Sequence, residues 1–159
     1  MDELKEKIYN AQAAGDIAAL YVLEASAHEV FDDDTLMAYY ANILDLALER
    51  MTNALENLER LDMSEVQDFA TLRALYEYAI EHYSAGSAHD ASALFEVIGG
   101  LSKDEPFNEA MKMHRAACDA KIPFDDFIDE YVDMKATQES GSFYINEFKK
   151  CIETAGEKG

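Results

Sequence analysis

The stretch from Thr35 to Leu61, TLMAYYANILDLALERMTNALENLERL, sets Met37, Tyr40, Leu44, Ala47, Met51, Ala54, Leu58 and Leu61 at separations that alternate between three and four. A helix turns about 100° per residue, so this alternation keeps the apolar side chains on one line, an a/d seam of the coiled-coil type. Leu48 and Leu55 widen the line, which suits a helix packed against two neighbours better than a bare two-stranded coil. Continuous from Thr35 to Leu61, it would be ~40 Å long at 1.5 Å per residue.

The same periodicity extends to both sides. Upstream, a helix over residues 2–14 carries Leu4, Ile8 and Ala11 on one face, and Gly15-Asp16 stops it and starts the next. A second helix over 17–31 presents Leu20, Leu23, Ala27 and Val30 or Phe31. Asp32, Asp33 and Asp34 then stand at the N-terminus of the long helix, where negative charge is favoured. Downstream, Ser64-Glu65-Val66-Gln67 has the spacing of a capping box, so Asp62 and Met63 form a tight turn and a fourth helix over 65–84 returns antiparallel. Further helices are expected over 88–99, from Phe107 to Cys118 and from Phe124 to Met134. Residues 137–142 read as a linker, and a last helix is expected over 142–155 with Ile145, Phe148, Ile152 and Ala155 on its apolar side. The fold class is all-α, a stack of antiparallel hairpins of about eight helices. It is read as a single helical domain over 1–159, with acidic N-terminal helices in 1–62, hairpins in 65–136 and the C-terminal helix.

Charge narrows the partners. The chain of 159 residues holds 33 acids against 13 bases, a net of -20, yet 49% of it is apolar, too much for a disordered acidic tail. Residues 1–105 contain 22 acids and 6 bases, and no base occurs between Lys7 and Arg50. Nucleic acid and anionic membranes are disfavoured, because binding to either draws on cationic groups. The acids are a solvated face or a docking surface for a basic partner, and composition leaves both open. The opening Met-Asp-Glu-Leu-Lys-Glu-Lys has no basic n-region followed by an apolar run, so the expected location is cytoplasmic. Cys118 and Cys151 lack a Cys-x-x-Cys spacing and are expected reduced and buried.

The positions Leu75, Tyr78, Ala79, Tyr83, Gly86, Ala91 and Phe95 fall at the spacing of a tetratricopeptide repeat. Small residues at 79 and 91 let two antiparallel helices approach, Gly86 permits the turn, and Leu75 and Phe95 fill the space between. Together with Thr71-Leu72-Arg73-Ala74-Leu75-Tyr76 before and Phe95-Glu96-Val97-Ile98 after, the segment resembles the first repeat of the class II chaperones of type III secretion translocators. That resemblance implies a cytoplasmic helical protein that holds a peptide or protein client. It also implies a concave groove lined by Tyr76, Ile80 and Tyr83, at i, i+4 and i+7. A competing reading has the broad face of the long helix covering these three side chains.

Catalytic and metal signatures are absent from the sequence. No Glu-x-x-His pair precedes His28, His82, His89 or His114, and His28-Glu29-Val30-Phe31-Asp32 lacks the second histidine of a zincin. Neither Asp32 to Asp34 nor the acids around Asp125 have EF-hand spacing, and Gly99-Gly100 opens no phosphate loop. No cofactor and no metal are expected. The expectation is a non-catalytic module that binds a protein or peptide, with Tyr76, Ile80, Tyr83, Asp32, Asp33 and Asp34 as candidate contacts. The alternatives are an acidic inhibitor or immunity-type protein that caps a basic enzyme surface, and a small-molecule or metal site in the bundle core. A homodimer is left open.

Overall fold

The computed structural model describes residues 2–152, and these form nine α-helices and no strand. The architecture is all-α, a succession of helical hairpins. The chain divides into two compact units, the first running to Leu75 and the second beginning at Tyr76.

The first unit contains α1 (Asp2–Ala14), α2 (Ile17–Val22), α3 (Glu24–Val30), α4 (Asp33–Glu56) and the start of α5 (Val66–Ser84). Gly15, at φ +66°, ends α1 with the Asp16 N–H bonded to Ala11 O at 2.8 Å, and the Asp16 carboxylate caps α2 through Ala19 N–H at 3.0 Å. The expected second helix is interrupted at Leu23, which separates α2 from α3. Asp32 caps α4 by accepting the Thr35 N–H at 2.8 Å, with Asp33 and Asp34 in its first turn, where the helix dipole favours them.

Helix α4 is shorter than the periodicity predicts and is turned about its axis. It stops at Glu56 because Leu58 takes φ +54°, which directs the Glu59 N–H back to Ala54 O at 2.8 Å. Its buried line is Tyr39, Ile43, Ala47 and Ala54. Of the expected seam, Ala47, Ala54 and Leu61 are buried, Tyr40, Leu44 and Met51 are half-buried, and Met37 and Leu58 are exposed. The helix is apolar over a wider arc than one interior contact uses, and the interior takes one edge of that arc.

The turn into α5 is not a capping box. Asp62 organises it, its carboxylate accepting the N–H and the hydroxyl of Ser64 at 2.9 and 2.6 Å. Gln67 instead reaches the α1–α2 corner, where its amide donates to Asp16 at 2.5 Å and accepts from Ala18 N–H at 3.2 Å. The Gln67 amide is the main cause of a lowered Asp16 pKa, ahead of the Ala19 N–H. Arg50 of α4 pairs with Asp68 at 2.6 Å, and Asp68 also accepts the Asp62 N–H at 2.9 Å, which fixes the start of α5 against α4.

The second unit holds the rest of α5 with α6 (Ala88–Leu101), α7 (Glu105–Asp119), α8 (Phe124–Glu130) and α9 (Met134–Ser140). Helices α6 and α7 form the tightest hairpin. A Cβ built on Gly99 would stand 3.1 Å from Met111 Cβ, so glycine sets how closely the two helices approach. Asp104 caps α7 at Phe107 N–H, and the buried Asn108 returns its amide to Ser102 O at 3.0 Å.

The helix expected over 142–155 is absent where the chain is described, and residues 153–155 lie outside the described residues. Residues 142–152 instead run as an irregular strap. The Asp133 N–H bonds Glu147 O at 2.9 Å and the Lys149 N–H bonds Tyr131 O at 2.7 Å around an antiparallel bridge between Val132 and Phe148. The expected linker at 137–142 is largely α9, closed by Gly141 at φ +72°. Of the cysteines, Cys118 is buried but Cys151, on the strap, is exposed. Burial pushes the Cys118 thiol up to about 12.

Candidate partner-binding surface

The expected groove residues sit in the core of the second unit. Tyr76 and Tyr83 are buried, and Ile80 is half-buried. The Tyr76 ring meets Phe95, His114, Phe143 and Tyr144 at centroid distances of 5.3–6.3 Å, and Tyr83 meets Phe124 at 5.2 Å and Phe127 at 5.8 Å. Their polar tips are also used internally. The Tyr83 hydroxyl donates to Ile122 O at 2.6 Å, and that of Tyr76 bonds His114 Nε2 at 2.8 Å while accepting the Ile145 N–H at 3.1 Å. Burial raises the pKa of both phenols. The stripe therefore holds the strap and the α7–α8 corner of its own unit and presents no groove; the i, i+4, i+7 spacing marked a real face, whose occupant is the chain itself.

His114 completes that core. Its Nδ1–H donates to Ala110 O at 2.6 Å, which leaves Nε2 to accept the Tyr76 proton, so the ring is neutral with both nitrogens satisfied. Burial drives its pKa down to about 4, against a smaller upward effect of the Ala110 carbonyl. This is a structural histidine. Among the described residues no group of three His, Cys, Asp or Glu side chains is placed to hold a metal ion, and no helix is long and apolar enough to cross a membrane.

The acidic candidates lie on the first unit and are exposed. Asp32 spends its carboxylate on Thr35, whose hydroxyl and N–H both lower its pKa. Asp33 and Asp34 point negative charge outward from the first turn of α4. Beside them an open cleft of about 240 Å³ is lined by Ile8, Tyr9 and Gln12 of α1, by Phe31, and by Thr35, Ala38 and Tyr39 of α4, with Lys5 among them. The Tyr39 hydroxyl bonds Leu20 O, and burial with the nearby Glu24 charge raises that phenol to about 12.

A polar chain also crosses the first unit. Tyr40 donates to Glu24, so its oxygen accepts from His28 Nε2 at 2.7 Å, and Arg73 pairs with the other Glu24 oxygen at 3.1 Å while lying 3.9 Å over the Tyr21 ring. It ties α3, α4 and α5 together. Nothing in the spacing of these residues marked them, since partners 12 to 49 positions apart carry no local pattern.

Exposed large apolar side chains are unevenly shared. Among the described residues Tyr9, Val22, Val30, Met37, Leu55, Leu58, Val66 and Phe69 are the exposed ones, and every one of them is in the first unit. They stand among 16 acids and 5 bases in residues 1–75. Exposed apolar side chains thus stand within a field of negative charge. Comparison with protein-family models, with curated proteins and with solved structures gives no match.

Proposed function

We propose that the protein is a non-catalytic binding module that docks a basic protein partner on its first unit. One observation carries this reading: among the described residues the exposed large apolar side chains are confined to the first unit, amid its excess of carboxylates. Apolar area supplies the attraction on contact, and the surrounding field selects cationic partners and speeds their encounter.

Of the two protein-binding roles the sequence suggests, this placement favours an inhibitor-type cap over a chaperone with a groove for an extended client. The groove positions Tyr76 and Tyr83 are core residues, with their hydroxyls bonded inside the unit. The tetratricopeptide-like reading of α5 and α6 stays part of the proposal on its pattern, with Ala79, Ala91 and Phe95 buried as the small and space-filling positions of such a hairpin. A cytoplasmic setting belongs to the same proposal.

The test is the salt dependence of a native complex. The full chain is used to capture its partner from its native lysate, and the affinity of the purified pair is measured from low to high ionic strength. Exposed charges are screened within ~8 Å at physiological salt, so the affinity is expected to fall steeply. An affinity that stays flat, or a captured partner that is acidic, rules the reading out.

A further inference from the structure

The part of α4 that the interior leaves uncovered has its own order. Met37, Leu44, Leu48, Met51 and Leu55 lie within an arc of roughly 60° at about 100° per residue. Met37 is 70% exposed and Leu55 47%, and the three between them are half-buried. Asp34, Asp45 and Glu56, all exposed, follow at intervals of eleven residues, close to three turns, so they border one side of the stripe over the length of the helix. The single base of α4, Arg50, is about a third of a turn away and is paired with Asp68.

We propose that this stripe docks one amphipathic α-helix of the partner protein, apolar along its seam and carrying Lys or Arg along the flank that meets Asp34, Asp45 and Glu56. The inference rests on the function proposed above and names the site and the occupant. Apolar residues three and four apart on a helix of 24 residues offer the holes into which the knobs of a second helix fit. Charge decides which helix. A second copy of α4 brings five carboxylates and one arginine to face the same set, and in antiparallel pairing about Asp45 it puts Asp34 against Glu56 and Asp45 against itself. With two chains of net charge -20, that pairing is opposed at short and long range. A helix with a basic flank turns each of these contacts from repulsive to attractive.

The test uses the full chain and two synthetic helical peptides of about three heptads with the same leucine seam, one with lysine and the other with glutamate on the flanking positions. Binding is followed by fluorescence anisotropy, and folding of every variant by circular dichroism. The lysine peptide is expected to bind, with the glutamate peptide at least about tenfold weaker. A Met37→Ser, Leu55→Ser double variant alters two exposed side chains and no charge, and should weaken the lysine peptide by about tenfold or more. An Asp34→Asn, Asp45→Asn, Glu56→Gln variant should keep residual binding with a flatter salt dependence. Equal binding of the lysine peptide to the wild type and to the Met37/Leu55 variant overturns the stripe, because general acidity would then suffice, and leaves the wider reading standing. Failure of the lysine peptide to bind, or equal binding of the glutamate peptide, overturns the occupant. A wild-type dimer in sedimentation that the double variant dissolves overturns it in favour of a second copy. The wider reading fails separately, in the salt response of the native complex.

Discussion

Tyr76 and His114 share one proton across 2.8 Å in the interior of the second unit, and the Tyr76 oxygen at the same time receives the Ile145 N–H of the C-terminal strap. One hydroxyl thus joins α5, α7 and the strap. Removing it leaves His114 Nε2 and the Ile145 N–H buried without a partner. Tyr76→Phe keeps the ring and should destabilise the protein by about 1–3 kcal/mol, read from the urea midpoint. Tyr76→Ala also opens a cavity and should cost about 3–5 kcal/mol. Partner affinity of the folded Phe variant should be unchanged, and a loss of binding with little loss of stability would return Tyr76 to the binding surface.

His114 makes stability depend on pH in a definite direction. Its pKa is about 4 when folded against 6.5 for the free side chain, so between these values the unfolded chain binds a proton that the folded chain refuses. Stability from this group is full above pH ~6.5 and declines as pH falls toward ~4, by up to about 3 kcal/mol. Relief of the acidic self-repulsion at low pH acts in the opposite sense. The comparison is therefore with His114→Gln, which should be less stable at pH 7 and show a shallower loss between pH 7 and 5. Parallel curves for the two proteins would contradict the buried neutral ring.

Gly99 and Gly100 are neighbours with opposite expectations. A side chain at Gly99 meets Met111 at 3.1 Å, whereas one at Gly100 meets nothing within 4 Å. Gly99→Val should overpack the α6–α7 contact and cost about 1–3 kcal/mol. Gly100→Ala should stabilise by about 0.5–1 kcal/mol through helix propensity alone. Thermal midpoints of the two variants moving in the same direction would contradict the packing described.

A glycine at the helix end is legible in α1 and α5, though not in α9, where Gly141 closes a helix over residues expected to be a linker. Gly15 and Gly86 close α1 and α5 with a positive φ and a bond from the next N–H to the carbonyl five residues back, and both ends were legible. Leu58 and Lys121 close α4 and α7 in the same way without glycine. At Leu58 an apolar residue in register reads as one more member of the seam, so periodicity alone carries the helix to Leu61. The last expected helix is missing for a related reason. Ile145, Phe148 and Ile152 have helical spacing, but Ile145, Asn146 and Glu147 are tied by Tyr76, Ser140 and Thr137 from elsewhere in the chain, and no local pattern reports such partners.

The candidate site was half legible. The acidic N-terminus of α4 is legible as a place where negative charge is favoured, and the structure adds that Asp32 is its cap, through the local Thr35 N–H. Which apolar face of α4 turns inward was not, since Tyr39 and Ile43 on one edge and Met37 and Leu44 on the other are equally apolar, and periodicity alone does not choose between edges. The aromatic stripe of α5 has helical spacing in the sequence, but the groups that occupy it come from residues 95–145.

The most direct measurement of where a partner docks is site-specific photo-crosslinking in the native lysate. A photoreactive residue is placed at Met37 on the exposed stripe of α4, and in a second protein at Glu130, an exposed position of the second unit. Adducts with a basic protein from position 37, absent from position 130 and suppressed by high salt, are the predicted result. Adducts formed equally at both positions, or only at 130, would contradict docking on the first unit.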